Sequence, residues 1–155
     1  MKKFLALILA ACSVLCAPER ESLAQLTSYV ADGTYEVYAA GHARSEYAVR
    51  FDNGGDTVLR SKLSAARYVY DDVACVLGET VAFEGGQAEL DRLISVLEFV
   101  LVERGEIEGC YYGYAARLGT GVVVRGKEIN CQIVTAGDRI TVGYPLIMGS
   151  YHLNT

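Results

Sequence analysis

The sequence predicts an α+β domain: an antiparallel β-sheet meander with helices packed on one face. Three observations predict it. Leu90, Leu93, Ile94 and Leu97 recur at helical spacing, with Glu89, Asp91, Arg92 and Glu98 elsewhere on the wheel, so residues 87–98 should form a helix with one buried stripe. From Phe99 onward, short runs rich in aromatic and β-branched residues are separated by Gly-containing turns at hairpin spacing. The chain of 155 residues has no Pro/Ser linker and no low-complexity tract, which suits one domain.

The elements follow in order. Ser22-Leu23-Ala24-Gln25 reads as a capping box, with Leu23, Leu26 and Val30 on one face of the helix it opens. Asp32-Gly33 should stop that helix, Gly33 taking a left-handed conformation. Residues 34–39 and 46–51 look like two strands of a hairpin around Gly41-His42-Ala43-Arg44, and Asp52-Asn53-Gly54-Gly55-Asp56 is a strong turn cluster. Beyond it, Leu59, Leu63 and Ala66 fit a helical face with Asp56 as N-cap. Arg67-Tyr68-Val69-Tyr70 is strand-like, and the apolar run 73–77 fits either state before Gly78 ends it. Residues 80–84 read as a strand entering a Gly85-Gly86 turn before the helix at 87–98. The meander then runs through 99–102 and 110–114 to the Leu118-Gly119-Thr120-Gly121 turn. It continues through 122–124, the turn Arg125-Gly126-Lys127, strand 129–134, the turn Ala136-Gly137-Asp138 and strand 140–143.

The first residues carry an address. Lys2 and Lys3 precede an uncharged apolar run from Phe4 to Leu15, and charges resume at Glu19. The run is shorter than the roughly 20 residues a membrane-spanning helix needs and has the flanks of a secretory leader. Residues 1–17 are therefore expected to be a signal peptide, and 18–155 a single domain. Cleavage after Cys16 or Ala17 competes with a lipoprotein route, in which Leu9-Ala10-Ala11-Cys12 serves as a lipobox and Cys12 takes the lipid. The expected location is extracytoplasmic, secreted or anchored at the bacterial cell surface. Membrane contact would come only through a lipid on Cys12 or an uncleaved leader.

Charge excludes some partners. The chain has 14 Lys+Arg against 19 Asp+Glu, and loss of Lys2 and Lys3 leaves 12 against 19, a net charge of −7. Such a domain lacks the basic face that nucleic acid requires.

Candidate chemistry is sparse. Cys75, Cys110 and Cys131 remain beyond the leader, with no C-x-x-C spacing for zinc or redox work. Cys110 and Cys131 both sit in strand-like runs and are the candidate disulfide pair; the alternative is three buried thiols, since Cys is also a common small core residue. A cysteine nucleophile would need a positioned base, and the only histidines are His42 and His152. Asp71-Asp72 and Glu103, Glu106 and Glu108 lack a calcium-loop pattern and read as solvated turns. No metal, cofactor or catalytic residue is expected. The best binding candidates are Tyr111, Tyr112 and Tyr114, of which Tyr112 and Tyr114 share a face. Such tyrosines stack on glycan rings or pack a protein partner, or simply pack across strands. Asn130 and Gln132 could contact a ligand or satisfy backbone groups in a neighbouring turn, with Cys131 facing the other way.

The tail carries a longer pattern, "GKEINCQIVTAGDRITVGYPLIMGSY", residues 126–151. It resembles the YwmB family of exported proteins of Gram-positive bacteria. The likeness lies in Lys127, Ile129, Asn130, Gln132 and Ile133, then Thr141-Val142-Gly143-Tyr144-Pro145-Leu146-Ile147, then Tyr151. It covers roughly residues 80–151; residues 22–79 show no motif that aligns, and Cys131 stands where the family has an apolar residue. The resemblance implies a TATA-box-binding-protein-like C-terminal part, export, and no catalytic residues to transfer. Together these readings predict a non-catalytic cell-envelope domain that binds a protein or cell-wall glycan through a Tyr-rich sheet face. The alternatives are an envelope hydrolase with a Cys or carboxylate site, and a homodimeric assembly protein that pairs through an edge strand.

Overall fold

A computed structural model describes residues 21–27, 29–30 and 32–147; the leader, with Cys12, lies outside the described residues. Strands β1 (Thr34–Ala39), β2 (Val49–Asn53), β3 (Asp56–Lys62), β4 (Val76–Glu84), β5 (Phe99–Arg104), β6 (Cys110–Ala115), β9 (Cys131–Ala136) and β10 (Arg139–Tyr144) form one sheet. Strands β7 (Val122–Val124) and β8 (Lys127–Ile129) form a separate hairpin. The helices are α1 (Leu23–Leu26), α2 (Ala66–Asp71), which follows a 3-10 turn at Leu63–Ala65, and α3 (Gln87–Leu97). The fold is mixed α+β, as the sequence predicts.

Strand order is β2-β3-β1-β4-β10-β9-β6-β5, and every pairing is antiparallel. Strands β3 and β4 flank β1, so they run parallel and the chain must cross between them, which it does through α2. Strands β4 and β5 are separated by three others and are also parallel, and α3 makes that crossing. Both crossovers lie over the same face. There Leu63, Ala66, Val69, Leu93 and Leu97 meet the alternate strand residues Tyr35, Val37, Leu59, Val81, Phe83, Ile133, Ile140 and Val142 in one buried core. The opposite sheet face carries no helix among the described residues.

Local chemistry sets the helix ends. The Ser22–Gln25 capping box is present, but α1 spans only Leu23–Leu26 and ends at Thr27, well short of Val30. Helix α3 starts at Gly86, whose N–H donates to the Glu89 carboxylate at 2.9 Å, and ends at Glu98 in a left-handed conformation (φ 51°).

Several expectations are corrected. The first hairpin is β2–β3, closed at Gly54-Gly55, and β1 does not pair with β2. Both edges of β1 are taken by β3 and β4, so residues 40–48 are a loop that skips one strand position. Residues 56–62 are a strand rather than a helix. Thr57, Leu59 and Ser61 all face the core, so the inward period is two, with polar residues at two of its positions. Arg67-Tyr68-Val69-Tyr70 belongs to α2, and Gly78 lies inside β4. Gly33 does not take a positive φ. A Cβ there would stand 2.7 Å from the Ala82 carbonyl oxygen, so close approach to β4 is what requires glycine. The expected strand 129–134 breaks at Asn130, between β8 and β9.

One buried charge-bearing group ties the layers together. Glu79, on the core side of β4, is 1% exposed. Its Oε2 accepts from the Leu23 N–H (3.2 Å), and its Oε1 accepts from the Ala24 N–H (3.3 Å) and the Tyr35 hydroxyl (2.9 Å). Burial pushes its carboxyl up to about 7, against these three bonds, which favour the charged form. The folded value lies above the ordinary 4.5, so this contribution to stability is complete below pH 4.5 and is lost as pH rises through about 7. Unfolding of wild type and Glu79→Gln by urea at several pH values reads it out. The stability of wild type relative to Glu79→Gln should fall by about 3 kcal/mol between pH 4 and pH 8. A difference constant with pH would show that Glu79 does not titrate in this range.

A candidate binding cleft on the open sheet face

Alternation along β6 and β9 sends Cys110, Tyr112 and Tyr114, and Gln132 and Val134, to the open face. The register sets Cys110 opposite Val134 and Tyr112 opposite Gln132. Two walls rise beside this floor. One is the loop from Gly105 to Gly109, fastened where the Gly105 N–H donates to the Cys110 carbonyl (2.8 Å) and the Thr135 N–H to the Gly109 carbonyl (2.9 Å). The other is the β7–β8 hairpin, which turns at Arg125-Gly126 with φ of 50° and 76°, the signs of a type I′ turn.

Asn130 determines where that hairpin stands. Its Oδ1 accepts from the Ala115 N–H (2.7 Å), and its Nδ2 donates to the carbonyls of Ala115 (2.9 Å) and Gly119 (2.8 Å). The side chain is fully buried, and these bonds break the ladder and lift β8 off the sheet. At the hairpin tip, Arg125 pairs with Glu103 (3.0 Å) and Glu106 (4.0 Å), and Lys127 with Glu103 (3.9 Å). These pairs are largely exposed and add little stability, but they bridge hairpin and sheet edge.

Between floor and walls lies a cleft of about 370 Å³. Ile107, Val124, Ile129, Val134 and Tyr112 give it an apolar lining, with charged groups such as Glu103, Glu106 and Arg125 at the rim. Cys110 and Gln132 also line it. Gln132 Nε2 donates to Cys110 Sγ at 3.4 Å, and Tyr112 also bonds that thiol, which with partial burial holds the phenol above its ordinary value. On the other side, Gln132 Oε1 accepts the Ile147 N–H at 3.0 Å. No family model, curated protein or solved structure matches the chain.

The structure brings Tyr112, Gln132 and Cys110 together and separates the other candidates. Tyr114 lies on the same face but outside the cleft. Tyr111 faces the helical side, near the Arg104 guanidinium, 5.9 Å from its ring. Asn130 is spent on backbone groups. The remaining tyrosines do not extend one patch: Tyr35 is buried against Glu79, Tyr38 bonds Glu36 (3.1 Å), Tyr47 stacks on Tyr68, and Tyr144 bonds the Thr120 carbonyl (3.3 Å). Tyr151, like His152, lies outside the described residues.

The candidate disulfide between Cys110 and Cys131 does not form. Cys110 pairs in register with Val134 and Cys131 with Gly113, so their side chains point to opposite faces. Cys75, Cys110 and Cys131 are free thiols, and burial pushes Cys131 up to about 12. His42, on the loop after β1, has both ring nitrogens 2.8 Å from the Arg50 guanidinium. Among the described residues, no three His, Cys, Asp or Glu side chains gather as a metal site. Sequence reading missed the aliphatic walls. Arg125-Gly126 and the Glu103–Glu108 run mark their tips, but only as turns.

Asn130→Asp tests the staple. A carboxylate keeps the bond from the Ala115 N–H but turns an acceptor toward two buried carbonyls. The variant should lose about 3 kcal/mol in urea unfolding at neutral pH. A loss under about 0.5 kcal/mol, the level of an ordinary surface change, would mean the hairpin is held by other contacts.

Proposed function

We propose that the chain is an exported, non-catalytic binding module of the bacterial cell envelope that takes an apolar segment of a protein partner into the cleft on its open sheet face. The observation that carries this reading is the cleft itself, concave, aliphatic and rimmed with charge, on a face that carries no helix among the described residues. The leader at residues 1–17 and the resemblance to the YwmB family support the exported part of the reading. A protein partner fits better than a glycan because Ile107, Val124, Ile129 and Val134 offer aliphatic contact, while only Tyr112 offers a ring. The hydrolase alternative finds less support, since the bonded neighbours of the Cys110 thiol are an amide and a phenol, neither of which is an effective base for it. A homodimeric reading has one observation in its favour: Val100 and Leu101 on edge strand β5 are 65% and 46% exposed.

A photo-crosslinking residue placed at Tyr112 in the producing bacterium tests the module reading against both alternatives. A discrete protein adduct should form from Tyr112 and be absent from a control at Tyr68, which is exposed on α2. Equal labelling from both positions, or none from Tyr112, would overturn it. An adduct that is a second copy of this chain would favour the homodimer.

A further inference from the structure

The eight-stranded sheet has two edges, β5 beside the cleft and β2 at the far end. Strand β5 exposes Val100 and Leu101, but its ladder shifts between Leu101 and Glu103 and leaves Val102 unmatched. Such a bulge twists an edge away from further pairing. Strand β2 has no such protection. It pairs with β3 without a shift from Val49↔Arg60 to Asn53↔Asp56, and it holds no Pro or Lys. The two-residue turn Gly54-Gly55, with φ of 59° and 103°, makes Asn53–Asp56 the hydrogen-bonded closing pair. Bonding alternates along an antiparallel pair, so Val49 and Phe51 spend their backbone groups on β3. The N–H and C=O of Arg50 and Asp52 therefore point to the free edge.

Read backwards, Val49-Arg50-Phe51-Asp52-Asn53 is complementary in charge to itself. A second copy laid antiparallel along β2, with a twofold axis at Phe51, sets Phe51 opposite Phe51 and each Arg50 opposite an Asp52. The free backbone groups fit this register, because both Arg50–Asp52 pairs become hydrogen-bonded pairs and the Phe51 pair the closer, non-bonded one. Moving the axis by one residue sets Asp52 against Asp52 or Arg50 against Arg50, so charge selects one register. The two faces of the strand divide the work. On the open face, Val49 and Phe51 are 62% and 43% exposed, with Val58 beside Phe51 in register and the Arg60 guanidinium 5.0 Å from the Phe51 ring. On the helical face, Arg50 is held at the edge by Asp52 of its own chain and by both His42 ring nitrogens at 2.8 Å. The Asp52 side chain is largely exposed and can meet Arg50 of a second copy.

We propose that the β2 edge is an interface between two copies of this chain, joined antiparallel about Phe51 into one continuous sheet. The interface is isologous, so each Arg50–Asp52 contact occurs twice. A strand of five residues makes a small contact, and the dimer belongs to the weak, concentration-dependent class. The cleft floor on β6 and β9 lies at the other end of the sheet, so the dimer carries two open clefts. The inference goes beyond the binding reading, and its test contains no partner, so either can fail alone.

Sedimentation velocity of the full chain from about 10 μM to about 1 mM tests the proposal. The mass should rise from 16.8 kDa toward twice that value with concentration. Arg50→Asp and Asp52→Arg each set like charges opposite one another at two places, and each should weaken dimerisation at least about ten-fold. An equal mixture of the two variants restores opposite charges at both places and should dimerise again. Both substitutions break the Arg50–Asp52 pair within the chain, so recovery on mixing separates an interface from a merely structural role. Val100→Lys on β5 should leave dimerisation unchanged. A wild-type chain that stays monomeric, a dimer indifferent to Arg50→Asp and Asp52→Arg, or a mixture of the folded variants that stays monomeric overturns the proposal. So does a dimer lost with Val100→Lys alone, which would place the interface at β5.

Discussion

Glu79 accepts hydrogen bonds from the first turn of α1 and from Tyr35 of β1, and the placement of the N-terminal helical layer depends on that carboxylate. A four-residue helix has no stability of its own, since nucleation alone is unfavourable. Two devices hold α1 in place. The Ser22–Gln25 capping box satisfies local groups, and Glu79 satisfies the Leu23 and Ala24 N–H groups from across the core. Leu23 and Leu26 are then buried against α2 and the sheet. The cost is a carboxyl in low dielectric, visible in its raised pKa; the return is that no helix N–H at that point is left buried and unpaired.

The open face is a consequence of the two crossovers. Each must run over the sheet to return a parallel strand, and both run over the same side. The central strand β4 is shared by both crossings, so one face is filled with aliphatic side chains and the other is left to loops, the β7–β8 hairpin and the returning tail. Asn130 does for this second face what Glu79 does for the first. Each is a buried polar side chain that bonds backbone groups distant in sequence, Leu23 and Ala24 for Glu79 and Ala115 and Gly119 for Asn130, and each places a segment where hydrophobic packing alone has no preference. The two faces thus depend on different polar anchors, which is why loss of the hairpin need not loosen the helices.

The parts legible in the sequence are those whose information is local. The stripe Leu90, Leu93, Ile94 and Leu97 gives α3, the turns give the β9–β10 hairpin, and Ser22 with Gln25 gives the start of α1. Strand β3 was hidden because its core face uses Thr57 and Ser61, so Leu59 and Leu63 were left to suggest a helical spacing. The pairing of β1 was hidden because both its neighbours come from later in the chain, and alternation does not encode partner choice. Glu79 gave no signal, since a glutamate in a strand ordinarily points to water. For the cleft, alternation placed Tyr112 and Gln132, but the walls depend on where Asn130 breaks a strand that reads as continuous.

Gln132 joins the floor of the cleft to the tail through the two ends of one amide. The Ile147 N–H is a donor, so the oxygen must face the tail, and the amide nitrogen is therefore turned toward Cys110. A flipped amide would set two donors against each other at Ile147. One amide N–H is thus engaged with the Cys110 sulfur, and one lone pair of the oxygen with the Ile147 N–H. For the proposed partner segment, the aliphatic walls and the charged rim then supply most of the contact surface, so side-chain shape and charge weigh more in that reading than strand-like hydrogen bonding.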